Sequence, residues 1–199
     1  MPDMNGSELV STVEDDLQTE LSRLGSSKSL YADTEGEMED DEVLAAAADA
    51  AYHAAETFES WDHAVFADAT ERMREEYQAV VDELGDHEVG DSPGVVDALA
   101  AAESTDERLG ATVGWSLVAD RKATQTSGYF TGQADPMTAS TFRGFGDGYE
   151  TIQEAALDVL EAEDDVDAAL DAAKDVVQAA YDEYVEILEG LGINPKSVC

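Results

Sequence analysis

Apolar residues recur along this chain at intervals of three and four positions, which places them on one face of an α-helix. No segment alternates apolar and polar residues with the period of two that marks a half-buried strand. The pattern therefore predicts an all-α protein. The main helices are expected at 7–24, from 40 to near 59, from before 66 to 84, 104–125, 135–162 and 164–191, with a short helix near 93–102.

Several helix ends are marked by residues that cap or stop helices. Asp40 suits a helix N-terminus, Ser104–Glu107 has the pattern of a capping box, and Asp135–Pro136 supplies a cap and a first helical residue. Segment 26–40 is polar and contains a glycine, so we interpret it as a connection. Segment 126–135 contains two glycines, and we interpret it as a turn.

The pattern leaves two local questions open. The segment Glu59–Asp62 has neither glycine nor proline, so the second helix either turns there or continues through it. Gly144, Gly146 and Gly148 fall inside the fifth helix, where each glycine costs about 1 kcal/mol relative to alanine. Either that helix is interrupted or a closely packed neighbour offsets the cost.

The order of the helices predicts a four-helix bundle. The second and third helices form one hairpin, the fourth and fifth form another, and two hairpins side by side make a bundle. We expect one helical domain over residues 1–199, with the bundle core at 40–162. The helices at 7–25 and 164–191 are then additions at the two ends.

The charge of the chain indicates its environment. It carries 47 Asp and Glu residues against 10 Lys and Arg, a formal net charge of -37. The acids are interleaved with the apolar stripes, so most are expected on solvated helix faces. Such a surface is typical of the cytosol of a halophile, where molar salt shortens the Debye length to about 3 Å. Direct binding of nucleic acid needs a basic surface and is not expected.

Other sequence signals also favour a cytoplasmic protein. The single cysteine, Cys199, excludes a disulfide within the chain. No apolar run reaches the roughly 18 residues of a membrane span, so no association with a membrane is expected. Residues 1–5 lack the charged and apolar regions of a signal peptide.

Two histidines and a glutamate are the first candidates for a metal site. His53 and Glu56 are three positions apart, and His63 follows further on, so an unbroken helix would place all three on one face. They either bind one metal ion or are solvated polar residues of an acidic surface. The second interpretation is favoured because such pairs often arise by chance.

Three basic residues are the second candidate group. Arg121 and Lys122 are adjacent in a chain with few cations, and Arg143 could join them. They either form a site for an anion or an acidic partner, or pair with acids such as Asp120 and Asp147. Structural pairing is favoured as the usual arrangement of such charges.

Three parts of the chain carry a resemblance to a known family. They are Arg23–Tyr31, the pair of segments Ala54–Trp61 and Phe66–Tyr77, and Trp115–Phe145. In these parts the chain resembles the ferritin-like superfamily, particularly the rubrerythrin-like proteins of haloarchaea. The resemblance implies a four-helix bundle that holds two iron ions and is associated with peroxide or oxygen chemistry.

The family's ligand pattern is not intact in this sequence. The resemblance places the Glu-x-x-His pair of the third helix at Met73 and Glu76, which are different residue types. The fifth helix has no such pair, and Asp147 and Glu150 are its nearest substitutes. Iron is the candidate metal, no cofactor is certain, and the candidate ligands are His53, Glu56, Glu76 and Glu150.

These observations predict a rubrerythrin-like protein with a degenerate di-iron site and a non-catalytic binding or regulatory role. No catalytic residue is assigned. Two alternatives stay open. One is an iron-binding oxidoreductase with an unconventional carboxylate and histidine site. The other is a helical adaptor that uses residues 115–145 to bind a protein partner. The partner of the chain is expected to be an unknown protein or a second copy of the chain.

The net charge predicts that stability depends on salt. Dilution from about 1 M to about 0.1 M KCl lengthens the Debye length from about 3 Å to about 10 Å, so repulsion among surface acids is less screened. We expect the thermal unfolding midpoint to fall by roughly 10 °C, as measured by circular dichroism. A parallel series with a neutral sugar in place of KCl controls for general solute effects. A midpoint independent of KCl would contradict the prediction.

Overall fold

The computed structural model describes residues 6–160 and 166–196, and within these ranges all regular secondary structure is helical. The all-α prediction is thus confirmed for the described part of the chain. In chain order the helices are α1 (Gly6–Asp16), α2 (Gln18–Leu24), α3 (Ser27–Asp33), α4 (Asp40–Glu59), α5 (Ala64–Leu84), α6 (Gly94–Ala100), α7 (Thr105–Gly132), α8 (Pro136–Leu160) and α9 (Val166–Gly190).

The N-terminal region is divided into more helices than the pattern predicts. The single helix expected at 7–24 is two helices, α1 and α2, separated at Leu17. Segment 26–40 is not simply a connection, since it contains α3. Leu30 and Ala32 of α3 are buried, so two apolar side chains in a polar segment suffice to hold one short helix against the core.

The turn predicted at 126–135 is wrong, because α7 continues to Gly132. Phe130 is buried and stacks on Phe142 of α8 at 5.9 Å between ring centroids. The hydroxyl of Ser127 donates to the carbonyl of Ala139 over 2.8 Å. These contacts between α7 and α8 offset the helix propensity lost at Gly128.

The capping predictions are confirmed for α7 and α8. Ser104 and Glu107 form a reciprocal capping box at the start of α7. Asp135 precedes α8 and accepts hydrogen bonds from the backbone amides of Met137 and Thr138, each over 3.1 Å. The expected end of the fifth helix at 162, the expected start of the last helix at 164, and Cys199 all lie outside the described residues.

The chain turns between α4 and α5, which answers the question left open at Glu59–Asp62. The Ser60 hydroxyl donates to the carbonyl of Thr57 over 2.6 Å. His63 has extended backbone and caps α5, with its Nδ1 accepting from the Val65 amide over 3.3 Å. Trp61 fills the corner against Phe58 and Phe66. His53 and His63 therefore do not share one helix face.

The long helices pack as two hairpins and a fifth helix. α4 packs on α5, α7 packs on α8, and α5 contacts α8. α9 packs along α7. The larger hydrophobic cluster includes buried residues of α1, α2 and α9 as well as of both hairpins. The terminal helices thus share the core of the hairpins.

The contact of α7 with α9 depends on two glycines. A Cβ atom at Gly110 would lie 1.9 Å from the carbonyl oxygen of Ala169, and one at Gly114 would lie 2.3 Å from that of Ala173. Both distances are far below van der Waals contact with backbone atoms. The two helices therefore approach as closely as they do only because neither position carries a side chain.

Substitution of Gly114 should separate α7 from α9. We expect Gly114→Ala to lower the free energy of unfolding by about 3 kcal/mol, because backbone atoms of α9 must move. The matched control is Gly128→Ala in the same helix, where a Cβ would meet nothing within 4 Å. That variant should gain about 1 kcal/mol. Urea unfolding in molar KCl measures both, and equal effects would contradict the proposed role of Gly114.

Candidate functional site

A cavity of about 350 Å³ lies between the two hairpins and α9. Small-molecule sites in proteins start at about 300 Å³, so this space matches a compact ligand. One wall is formed by α4 and includes four alanines, namely Ala46, Ala47, Ala50 and Ala51. Their spacing places them side by side on the helix, and their small side chains leave the space open.

The inner part of the cavity is formed by α5, α7 and α8. Met73 and Glu76 of α5, Trp115 of α7 and Tyr149 of α8 all line it. Glu76 is only 5% exposed. The hydroxyl of Tyr149 donates to Oε1 of Glu76. A buried carboxyl and a buried phenol therefore face the same space from two different helices.

The electrostatics of this pair follow from its burial. Burial raises the pKa of Glu76 from 4.5 to about 8, although the hydrogen bond from Tyr149 and the charge of Arg72 act in the opposite direction. Burial, followed by the neighbouring Glu76, raises the pKa of Tyr149 well above its usual value. At neutral pH the pair is thus mostly uncharged.

Aromatic contacts hold Tyr149 in place. The ring of Trp115 packs edge-to-face on Tyr149 at 5.4 Å and on Phe58 at 5.2 Å between centroids. Such arrangements are favoured by the ring quadrupoles and restrict rotation of each ring. The hydroxyl of Tyr149 is thereby directed at Glu76.

Two of the three glycines in α8 have close neighbours, and the helix is not interrupted. A Cβ at Gly148 would lie 3.0 Å from the guanidinium of Arg72, and one at Gly146 would lie 3.0 Å from a carboxylate oxygen of Asp120. Gly148 thus lets Arg72 cross α8 near Glu76. A Cβ at Gly144 meets nothing within 4 Å, so no contact explains that glycine.

The outer part of the cavity is acidic. It is lined by Asp33, Glu35, Asp49, Asp91 and Glu183, with Lys122 as a basic residue. Three of these acids have fixed partners: Asp33 pairs with Lys122 at 2.6 Å, Asp49 with His87 at 2.8 Å, and Glu183 accepts from the Gly94 amide at 2.7 Å.

The predicted metal ligands are not brought together. Glu56 and Glu150 are exposed, and a ring nitrogen of His53 lies 2.9 Å from the carbonyl oxygen of Gly90. Of the four candidates, only Glu76 lines the cavity. Within residues 6–160 and 166–196, no three His, Cys, Asp or Glu side chains form a group that could hold a metal ion. This donor set does not fit a di-iron centre.

The substitutes expected in the fifth helix also lie outside the cavity. Asp147 and Glu150 are exposed on α8. They lie near Asp120 of α7, whose pKa is raised mainly by burial and further by these two charges. The three carboxylates repel one another at the surface between α7 and α8 and do not point into the bundle core.

The basic residues form structural contacts, although with other partners than expected. Arg121 pairs with Glu14 of α1 at 3.0 Å and Lys122 pairs with Asp33 of α3. The guanidinium of Arg143 donates to the hydroxyl of Ser127 over 3.4 Å. Asp120 and Asp147, the partners suggested by proximity in sequence, are not used.

Sequence reasoning missed most of the cavity. The apolar pattern does not indicate Tyr149 as a site residue. A signal was present, because Ala46, Ala47, Ala50 and Ala51 put four small side chains on one face of a helix. The position of Glu76 was indicated by the resemblance, but its burial was not.

Comparison with known proteins identifies no relative, since no family model, no curated protein and no solved structure matches the chain. Among the described residues, no helix is both long enough and apolar enough to pass through a membrane. The function must therefore be argued from the cavity itself.

Burial of Glu76 predicts a pH-dependent stability. Between about pH 4.5 and pH 8 the folded protein keeps a proton that the unfolded chain has released. The free energy of unfolding should therefore fall as pH rises through this window, by at most about 5 kcal/mol. Glu76→Gln should remove this contribution and be more stable than the parent at pH 8.

Urea unfolding of parent and variant across this window measures the effect. The control is Glu75→Gln, which removes an exposed carboxylate from the same helix. Its profile should follow that of the parent. Parallel profiles for the parent and Glu76→Gln would show that Glu76 titrates normally and would contradict the prediction.

Proposed function

We propose that this chain is a ferritin-like helical protein with a non-catalytic binding role, in which the cavity between the helices takes a small organic molecule and not a di-iron centre. The observation that carries the proposal is the cavity of about 350 Å³ with the Glu76–Tyr149 pair at its inner end.

The ferritin-like assignment is supported by two features. The long helices form the two packed hairpins that such a bundle requires. Met73 and Glu76, at which the resemblance places a ligand pair of the family, both line the cavity. A cavity between the hairpins that is lined by both of these positions supports the proposed assignment.

The character of the walls supports an organic ligand. Alanines, Met73, Trp115 and Phe142 supply apolar surface, and a few polar groups stand among them. This combination is usual for small-molecule sites, where apolar contact supplies affinity and polar groups fix orientation.

Several polar groups of the cavity have fixed hydrogen-bond or ion-pair partners, which suits binding. Tyr149 is bonded to Glu76 and Lys122 to Asp33. The hydroxyl of Thr126 donates to the carbonyl of Lys122 over 3.0 Å. Groups held in this way present a fixed pattern to a ligand.

A cavity-filling variant tests the proposal. The uncharged fluorophore N-phenylnaphthylamine should bind the parent protein in molar KCl, with increased emission. Ala50→Phe places a ring in the cavity and should weaken binding at least about tenfold, which corresponds to 1.4 kcal/mol. The matched control is Ala45→Phe, in the same helix but away from the cavity lining, and it should bind like the parent.

Two outcomes would overturn the proposal. One is equal binding, or no binding, by the parent and both variants. The other is stoichiometric iron, zinc or manganese in protein purified from molar KCl, if that metal is lost on His53→Ala or Glu76→Gln. The second result would favour the iron-binding oxidoreductase with an unconventional site.

A further inference from the structure

The charges around the cavity discriminate among classes of ligand. Six carboxyl groups line it, and among the described residues Lys122 is the one Lys or Arg that does so. Lys122 is already neutralised by Asp33 at 2.6 Å. The cavity therefore presents no free positive charge to an anion, and its low-dielectric walls focus a negative potential into it.

Two carboxylates at the mouth of the cavity lack a fixed partner within the described part of the chain. Glu35 and Asp91 are exposed and make no ion pair or side-chain hydrogen bond in the described structure. They are not needed to hold a loop or a helix end, in contrast to Asp49 and Glu183. Their charge is available to attract a cation on its way into the cavity.

The carboxyl of Glu76 at the inner end of the cavity is a more specific feature. Oε1 of Glu76 accepts from Tyr149, and no hydrogen bond to Oε2 is seen among residues 6–160 and 166–196, although the residue is only 5% exposed. Arg72 is exposed one turn earlier on α5 and forms no ion pair with Glu76. When this buried carboxyl is ionised, Oε2 is an acceptor at which a charged N–H donor gains a strong hydrogen bond.

The walls between mouth and inner end suit an apolar body next to a positive charge. The alanine face of α4 accommodates methylene groups or a ring. Trp115, Phe142 and Tyr149 line the other side, and aromatic rings attract cations through their negative faces. Apolar and cation-attracting surfaces thus stand together within one cavity.

Building on the proposed ligand-binding function, we infer that the cavity takes a protonated organic amine with a compact apolar body. Its ammonium N–H groups bond Oε2 of Glu76, and its apolar body lies against the alanine face of α4 and Trp115. Molar salt weakens the attraction at the exposed mouth but screens a buried ammonium–carboxylate contact much less.

Three probes with one ring and different charge test the inference. They are phenethylamine, phenethyl alcohol and phenylacetate, titrated into the parent protein by calorimetry in molar KCl. The titrations are made about one unit above the pKa of Glu76, which is about 8, so that the carboxyl is ionised and the amine remains protonated. We expect the amine to bind about tenfold tighter than the alcohol and phenylacetate to bind weakest.

Two variants distinguish the effect of the Glu76 carboxyl on affinity from the effect of the overall negative charge of the protein. Glu76→Gln should lower affinity for the amine about tenfold and leave that for the alcohol within about twofold. Glu75→Gln removes the same charge from an exposed position of α5 and should leave the affinities for the amine and the alcohol unchanged. If Glu76→Gln does not fold, Glu183→Gln at the cavity wall serves instead, with an expected loss of about threefold for the amine alone.

The outcomes distinguish this inference from the function on which it rests. The inference is overturned if the alcohol or phenylacetate binds as tightly as the amine, or if Glu75→Gln and Glu76→Gln have the same effect. It is also overturned if the amine fails to bind while N-phenylnaphthylamine binds, and the proposed function then survives. If none of these compounds binds the parent, both are rejected.

Discussion

The close approach of α7 to α9 is the constraint on which the rest of the fold depends. α7 also packs on α8 and contacts α2, α3 and α6, so its position sets that of most other elements. Gly110 and Gly114 bring the two backbones together on one side of α7. Trp115, next in sequence, contacts Phe58 and Tyr149. The contact that closes the core along α7 and α9 thus also positions Trp115, which lines the cavity.

Burial of the Glu76 carboxyl destabilises the folded state, and this destabilisation points to a role other than stability. Stability alone would favour an apolar side chain at a position with this degree of burial. Tyr149 compensates for one oxygen only. A buried carboxyl that lines a cavity is more readily understood as part of a binding site than as a structural element.

Features of the fold that depend on neighbouring residues were predictable from the sequence, and features that depend on contacts between distant residues were not. Helix starts with local chemistry, such as the capping box at Ser104 and the cap at Asp135, were predictable because the partner groups lie within four residues. The extension of α7 to Gly132 was not predictable, because it depends on the packing of Phe130 against Phe142 of α8. Likewise α3 is stabilised by the packing of Leu30 in the core.

The candidate site was predictable only in part, for a similar reason. Glu76 could be indicated by a resemblance, but the pairing with Tyr149 joins residues far apart in the chain. His53 and Glu56 had a plausible spacing, yet one projects toward the loop at Gly90 and the other into solvent. Spacing along one helix says which residues share a face, and it does not say what that face contacts.

The scarce cations have a consequence for the way salt acts on this molecule. Arg121 and Lys122 of α7 bind acids of α1 and α3, and Lys174 of α9 binds Asp16 of α1 at 2.6 Å. These ion pairs fasten the N-terminal helices to the bundle, and α3 forms part of the cavity wall. Added salt therefore has two opposing effects: it relieves repulsion over the acidic surface, and it loosens the attachment of the N-terminal helices, of which α3 lines the cavity.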